Sequence, residues 1–389
     1  MKIYMIGQKG IPSKYGGVEK HVEELSARLV KQGHEVFVYA RPNYTDEKLK
    51  EYKGVNIINL PSIATKHLDA ITHTFMACLD LFKRDVDVIH FHSIGPSSLI
   101  PLAKIIKPGV PVISTFHTED YFHKKWGMLA RTYLRLGEII SCLLADKTIV
   151  VSRSLKKKAD KKYKIHTHYI PNGVSLPKYA AVKFIKPWGL TRGNYIVSVS
   201  RLIRHKGIHH LIEAYNQIKT GKKLVIVGGG SFTDDYVREL KLLASGNKDI
   251  IFTGSQSGRT LEELFSNAYL FVQPSESEGL SIALLEAMAY KKSVLTSNIP
   301  ENLEVIEDTG FTFENKNVED LAEKLRYLLR HPATVKAREG FGHERVKKHY
   351  NWENITKEIT VLYEQVATEK YSRRMSVVGW ARKVVGFFL

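Results

Sequence analysis

Short apolar runs rich in Val, Ile, Tyr and Phe recur along the chain, separated by longer segments in which apolar positions repeat at helical spacing. In the first half these runs are KIYMIG, EVFVYA, NIINL, VDVIHFHS, PVISTFH, KTIVVS and HYIPN. In the second they are YIVSVS, KLVIVG, IIFTG, LFVQPS, SVLTSN and GFTF. Most are too short and continuous to be helices, and β-branched residues dominate them, which predicts strands buried on both faces. Strand alternating with helix is the pattern of a parallel sheet, so each series predicts a doubly wound, Rossmann-like α/β domain. Between the series, Pro177 to Gly193 includes Pro177, Pro187, Gly189 and Gly193 without a clean period and reads as the interdomain linker. The expected domains are residues 1–180 and 190–361. Doubly wound sheets bind ligands outside the carboxyl ends of their strands, so two facing domains would leave a cleft lined by strand-end loops.

At 389 residues, with 43% hydrophobic and 25% charged residues and no low-complexity tract, the chain is long enough for two ordinary cores and carries no signature of disorder. It contains no run of about 20 apolar residues that could span a bilayer, and its start, MKIYMIGQKGIP, lacks the apolar stretch of a secretory signal. A cytoplasmic protein is expected. Only Cys78 and Cys142 occur, too few for a disulfide framework or a structural zinc site, so both read as core thiols. The net charge of +18 favours polyanionic partners: nucleic acid, anionic lipid or phosphorylated substrates. Charge alone does not choose among them.

The candidate chemistry lies in strand-end loops. KIYMIG runs into QKGIPSKYGGVEKHVEELSARLVKQGHEV, whose helix is expected to begin near Gly17 and to end at Gly33. Gly16 and Gly17 then lie at a helix N-terminus, where the absence of Cβ lets backbone N–H groups approach an anion; a tight turn that needs glycine also accounts for the pair. YIVSVS ends in Ser200-Arg201-Leu202-Ile203-Arg204-His205-Lys206-Gly207, ahead of the helical run IHHLIEAYNQIK. Arg201 and Lys206 beside a strand end and a helix start can neutralise a diphosphate, although a solvated basic loop would read the same way. In PSESEGLSIALLEAMAY, Glu278 precedes Gly279, Leu280 and Ser281. A helix starting near Ser281 carries Glu286 roughly 7 Å along its axis, at about 1.5 Å per residue. Its N-terminus suits a diphosphate and Glu286 the ribose hydroxyls, while Glu278, before the helix, is free to address a sugar.

These residues closely resemble the family 4 glycosyltransferases, retaining enzymes of the GT-B fold. Their Glu-x7-Glu pattern matches Glu278 and Glu286, and their Ser-Arg-Leu segment followed by Lys-Gly matches Ser200 to Gly207. First-loop glycines match Gly16 and Gly17, a strand-end histidine matches His117, and VVSRS and IPNGV match Val150 to Ser154 and Ile170 to Val174. The resemblance covers nearly the whole chain. It implies transfer of a hexosyl group from a nucleotide-sugar donor, with Arg201 and Lys206 on the diphosphate, N–H groups from Gly279 to Ser281 assisting, and Glu286 on the ribose. Glu278 and His117 would face the transferred sugar. Without the family, His117 in STFHTED reads more simply as a satisfied strand-end histidine. No enzyme nucleophile is apparent; the family implies front-side departure of the diphosphate, with no metal or other cofactor expected. NWENITKEITVLYEQVA resembles the family's closing helix, so residues from about 362 to 389 are expected to cross back to the first, acceptor-side domain. The opening IGQKGIPSKYGGVEKHVEEL is similar to bacterial enzymes that build surface polysaccharides, rhamnosyltransferases among them, which suggests a lipid-linked glycan acceptor.

Other features carry plainer readings. Asp85 and Asp87 imitate a metal-binding Asp-x-Asp motif but stand at a strand's entry, and Gly228, Gly229 and Gly230 lack dinucleotide-turn spacing. SRSLKKKADKKYKIH reads as a solvated basic face, whereas Tyr121 to Trp126 interleave aromatic and basic residues in a way that suits a membrane-bound acceptor as well as a plain surface. In the tail, Val377, Ala381, Val384, Val385 and Phe388 form one helical stripe near Arg373, Arg374, Arg382 and Lys383. That pattern suits an interfacial helix on anionic lipid, or simply packing on the first domain. Rival readings are a GT-B epimerase, disfavoured by the Glu-x7-Glu pattern, and a basic nucleic-acid-binding protein, which would leave the paired glutamates idle. No nucleic-acid partner is expected.

Overall fold

The computed structural model describes the backbone of residues 1–119, 121, 127–177, 179–230 and 233–385, with side chains through residue 370. The described residues form two compact units, one comprising the chain before Pro171 together with the segment from Glu353, the other Pro171–Trp352.

The first unit holds β1 (Lys2–Ile6), β2 (Glu35–Ala40), β3 (Glu51–Tyr52), β4 (Val55–Asn59), β5 (Val88–His92), β6 (Val112–Phe116), β7 (Lys147–Val150) and β8 (His168–Tyr169). They form one sheet in the order β3-β4-β2-β1-β5-β6-β7-β8. Every pairing is parallel except β3 against β4. β5 and β6 are buried along their whole length, which is why they read as continuous apolar runs. On one face Tyr4, Ile6, Tyr39 and Phe91 pack against Ala77, Cys78 and Leu81 of the helix Asp69–Leu81. Both cysteines are buried free thiols. β3, not anticipated from the pattern, is joined to β4 through Lys53 (φ 53°) and Gly54 (φ 78°), the positive pair of a primed hairpin turn.

The second unit holds β9 (Tyr195–Val199), β10 (Lys223–Val227), β11 (Ile250–Gly254), β12 (Leu270–Gln273), β13 (Val294–Ser297) and β14 (Phe311–Phe313), in the order β11-β10-β9-β12-β13-β14. All pairings are parallel. Its core joins Ile196, Leu224, Ile226, Leu270 and Val272 of the strands to Leu211, Ile212, Leu321 and Leu325 of covering helices. The chain is thus two Rossmann-like α/β units. Strand order reverses between β1 and β5 in the first sheet and between β9 and β12 in the second, and ligands of such sheets bind where it reverses.

Two boundaries differ from expectation. Residues 177–193 are no free linker: Lys183 and Phe184 each donate a backbone N–H to Glu263 Oε2 at 2.7 Å, and Ile185 and Leu190 are fully buried within the second unit. Glu263, itself buried, needs those donors, and a Pro/Gly count cannot reveal them. The chain rejoins the first unit at Glu353 rather than near 362, one residue into the helix Trp352–Val385. Glu353 accepts from Arg28 Nε at 3.0 Å, and Thr360 Oγ1 donates to Gln32 Oε1 at 2.7 Å. Among the described residues no helix is long and apolar enough to cross a membrane.

Candidate active site

In the second sheet the loop after β9 carries Arg201 and Lys206, and the loop after β12 carries Glu278 to Ser281; both follow strands that flank the reversal. Backbone contacts lock the two loops together. Glu276 N donates to His205 O at 2.8 Å, and Gly207 (φ 67°) lies so close to β12's exit that a Cβ there would stand 1.9 Å from Pro274 O. The turn after β10 braces the same loop: Leu202 N donates to Gly229 O at 2.8 Å, and a Cβ on Gly228 would meet Ser200 O at 1.8 Å. Gly228 therefore serves close backbone approach.

Lys206 Nζ donates to both oxygens of Glu278, at 2.6 and 2.7 Å, with the two side chains only 15% and 7% exposed. Arg201, half-buried, makes no side-chain hydrogen bond or ion pair among the described residues. Ser281 caps the helix Ile282–Ala289: its Oγ accepts from Leu284 N at 3.3 Å and donates to Gln273 Oε1 at 2.6 Å. Gln273 Nε2 donates to Asn302 Oδ1 at 2.7 Å, and Asn302 Nδ2 donates to Ser297 Oγ at 3.1 Å, a buried chain that fixes the cap from below. Asn172 Nδ2 donates to Leu280 O at 3.1 Å and holds the turn from the side. Glu286 is half-buried on the second turn of that helix.

In the first unit, Gly16 (φ 103°) precedes the helix Gly17–Lys31 as expected. The position is shared with an acid: a Cβ on Gly16 would stand 2.0 Å from Glu19 Oε2, and Glu19 Oε1 accepts from Lys9 N at 3.1 Å. A carboxylate in the first turn already complements the helix dipole there. His117 follows β6 and sits among other imidazoles. Its Nε2 lies 3.3 Å from Nδ1 of His92, the last residue of β5, and the His21 ring stands edge-on to it at 4.9 Å. His90 bridges Tyr363 Oη (2.6 Å) on the closing helix and Thr115 Oγ1 (2.7 Å) on β6. Burial, then the neighbouring imidazoles, hold His90, His92 and His117 well below the ordinary histidine range, so all three are neutral.

Residues 183–364 match the family model of glycosyl transferases group 1, and residues 15–178 match that of glycosyltransferase family 4. The chain belongs to the family 4 glycosyltransferases of GT-B type. This family 4 transferase is similar to an uncharacterised glycosyltransferase of Methanocaldococcus jannaschii, with 28% identity over 411 residues that span 96% of this chain and 100% of the relative. Among solved structures it resembles sucrose-phosphate synthase from Thermosynechococcus elongatus, with TM-score 0.80 and 23% identity, covering 95% of this chain and 99% of that one. It also resembles HepE from Anabaena in complex with UDP-glucose, with TM-score 0.78 and 18% identity, covering 94% and 100%. At those identities the two structures speak for the fold.

In this glycosyltransferase the structure gathers Arg201, Lys206, Glu278, Gly279, Leu280 and Ser281 at one sheet's reversal and sets Glu286 on the adjoining helix, while Gly16, Gly17 and His117 belong to the other unit. Sequence reasoning missed the Lys206–Glu278 pair, the brace from Asn172, and the partners of His117. Alternation in VIHFHS was the available signal for the last, since it sets His90 and His92 on one face of β5. Asp85 and Asp87 bind Lys2, through Nζ and backbone N at 2.7 Å each. Of the basic helix Arg153–Tyr163, Lys158 pairs with Glu119 at 2.6 Å and Lys162 with Glu138 at 2.8 Å, a partly neutralised face. Phe122 to Trp126 and the tail's side chains lie outside the described residues.

Proposed function

We propose that this chain moves a hexosyl group from a nucleoside-diphosphate sugar to a lipid-linked glycan acceptor, with retention at the anomeric carbon. One observation carries the reading: a guanidinium without a side-chain partner among the described residues, an ammonium gripped by a carboxylate and a capped helix N-terminus meet where the second sheet's strand order reverses. HepE, a structural relative, was solved with UDP-glucose bound, which supports a nucleotide-sugar donor.

As the bond between the anomeric carbon and the diphosphate lengthens, negative charge grows on the departing oxygens. Lys206, held by Glu278, and the braced N–H groups from Gly279 to Ser281 are in place before the reaction, and preorganised donors aimed at developing charge lower a barrier without reorganisation; Arg201 adds a guanidinium with no competing partner among the described residues. Glu286 takes the ribose hydroxyls. The acceptor hydroxyl enters on the face the diphosphate leaves, and a leaving phosphate oxygen takes its proton, so no enzyme nucleophile is required. Glu278 and His117 are assigned to the transferred sugar, and Glu278 also orients Lys206. Side chains thereby supply the potential that a divalent metal would bring, and turnover is proposed to be metal-independent. The tail, basic and apolar in sequence, is proposed to rest on anionic lipid at the cytoplasmic membrane face.

Ligand-induced thermal stabilisation tests the reading, since specific binding to the folded state raises the melting temperature. One of UDP, GDP or dTDP at sub-millimolar concentration is expected to stabilise the protein. Stabilisation by RNA and by none of the three overturns the proposal.

A further inference from the structure

Three buried imidazoles converge in the first unit at the carboxyl ends of β5 and β6. His92 Nδ1 and His117 Nε2 are 3.3 Å apart, and His21, on the buried face of the helix Gly17–Lys31, brings a ring nitrogen within 4.8 Å of both. The other nitrogen of His92, Nε2, lies 3.4 Å from Met5 Sδ. A thioether can only accept, so Nε2 keeps the ring proton and Nδ1 presents a bare lone pair toward His117. Zinc bonded tetrahedrally to imidazole at about 2.0–2.1 Å sets its nitrogens about 3.3–3.4 Å apart, the separation this pair already has. His90 stacks on His92 at 4.2 Å, but both its nitrogens are engaged by Tyr363 and Thr115, so it stands outside the set.

We propose that His21, His92 and His117 form a binding site for a borderline-soft divalent ion such as zinc or cobalt, and that its occupancy inhibits transfer. An all-imidazole set discriminates against magnesium and calcium, which prefer oxygen, so the site is distinct from any metal that would assist diphosphate departure. Three protein ligands leave a fourth position for water or an anion. Inhibition rests on the assignment of His117 to the sugar; binding does not.

The full chain, stripped with EDTA and desalted, is titrated with Co²⁺. The expected result is one equivalent with the intense visible absorption of tetrahedral cobalt, displaced by Zn²⁺. His92→Gln and His21→Gln are each expected to weaken binding by about tenfold or more. Melting curves identify which of the two variants is folded, and either suffices. The cluster of His209, His210 and Glu276, with Lys316 Nζ 3.4 Å from that carboxylate, is the competing locus, so a His209→Ala/His210→Ala variant is expected to keep the signal. Loss of the signal in that variant, a weak octahedral spectrum, or full retention in a folded His92→Gln or His21→Gln variant overturns the site. Zn²⁺ is expected to inhibit transfer reversibly by EDTA. Tetrahedral binding without inhibition overturns the inhibitory role and leaves the site standing.

Discussion

Glu278→Gln keeps the shape of the side chain and removes its charge, and the structure sets the consequence. Lys206 Nζ is held by both carboxylate oxygens at 2.6 and 2.7 Å, with 7% of the Glu278 side chain exposed. Deleting one partner of a buried pair costs about 3–5 kcal/mol. Glutamine retains one acceptor, so the loss is nearer one charge-assisted hydrogen bond, about 2 kcal/mol. At roughly 2–4 °C per kcal/mol for a unit of this size, melting should fall by about 4–8 °C. A bound nucleoside diphosphate supplies the ammonium with new negative charge, so affinity for the free nucleotide should be unchanged or tighter even as turnover falls. Scanning calorimetry with and without nucleotide, titration calorimetry and nucleoside diphosphate release measure the three quantities. Unaltered melting would show that the pair contributes nothing; nucleotide affinity lost in step with turnover would refute the assignment of Lys206 to phosphate and Glu278 to sugar.

Glu286→Ala should weaken nucleotide binding by about 1.5–3 kcal/mol, and unchanged affinity by titration calorimetry would remove the ribose role. His117→Ala should lower turnover more than affinity for free nucleoside diphosphate; intact turnover would return it to a strand-end histidine. Turnover should survive excess EDTA, and loss restored by magnesium or manganese would contradict the electrostatic account. His90, His92 and His117 are held neutral in the fold but protonate in the unfolded chain below the ordinary value of 6.5, so below that pH the unfolded state binds more protons and stability falls as the pH is lowered. Each can remove up to about 1.4 kcal/mol per pH unit between about pH 6.5 and 5; a melting temperature equal at pH 7.5 and about 5.5 would contradict this.

The strands were legible because parallel strands buried on both faces leave continuous β-branched runs, and all thirteen runs contain strands. β3 escaped because two residues, Glu51 and Tyr52, have no period, although Lys53-Gly54 is a turn signal. Residues 177–193 misled because proline and glycine mark irregular backbone without saying what it packs on; the buried Glu263 decides that, about 80 positions away. The residues gathered at the second sheet's reversal were readable as motifs because each loop is local. What joins them was not: the Lys206–Glu278 pair, the Gln273–Ser281 hydrogen bond beneath the cap and the His21–His92–His117 cluster depend on which strands lie side by side. His92 and His117 meet because β5 pairs with β6, and no spacing in the chain announces that pairing.

A panel of UDP-, GDP- and dTDP-sugars, incubated with the full chain and lipid-linked glycan acceptors, tests the central claim most directly. Nucleoside diphosphate release is followed together with the anomeric configuration of the product by NMR. The account predicts acceptor-dependent release from one nucleotide class, in the presence of EDTA, with the donor's configuration kept. Inverted product would refute the front-side route, and interconversion of the nucleotide sugar without transfer would make the protein an epimerase instead.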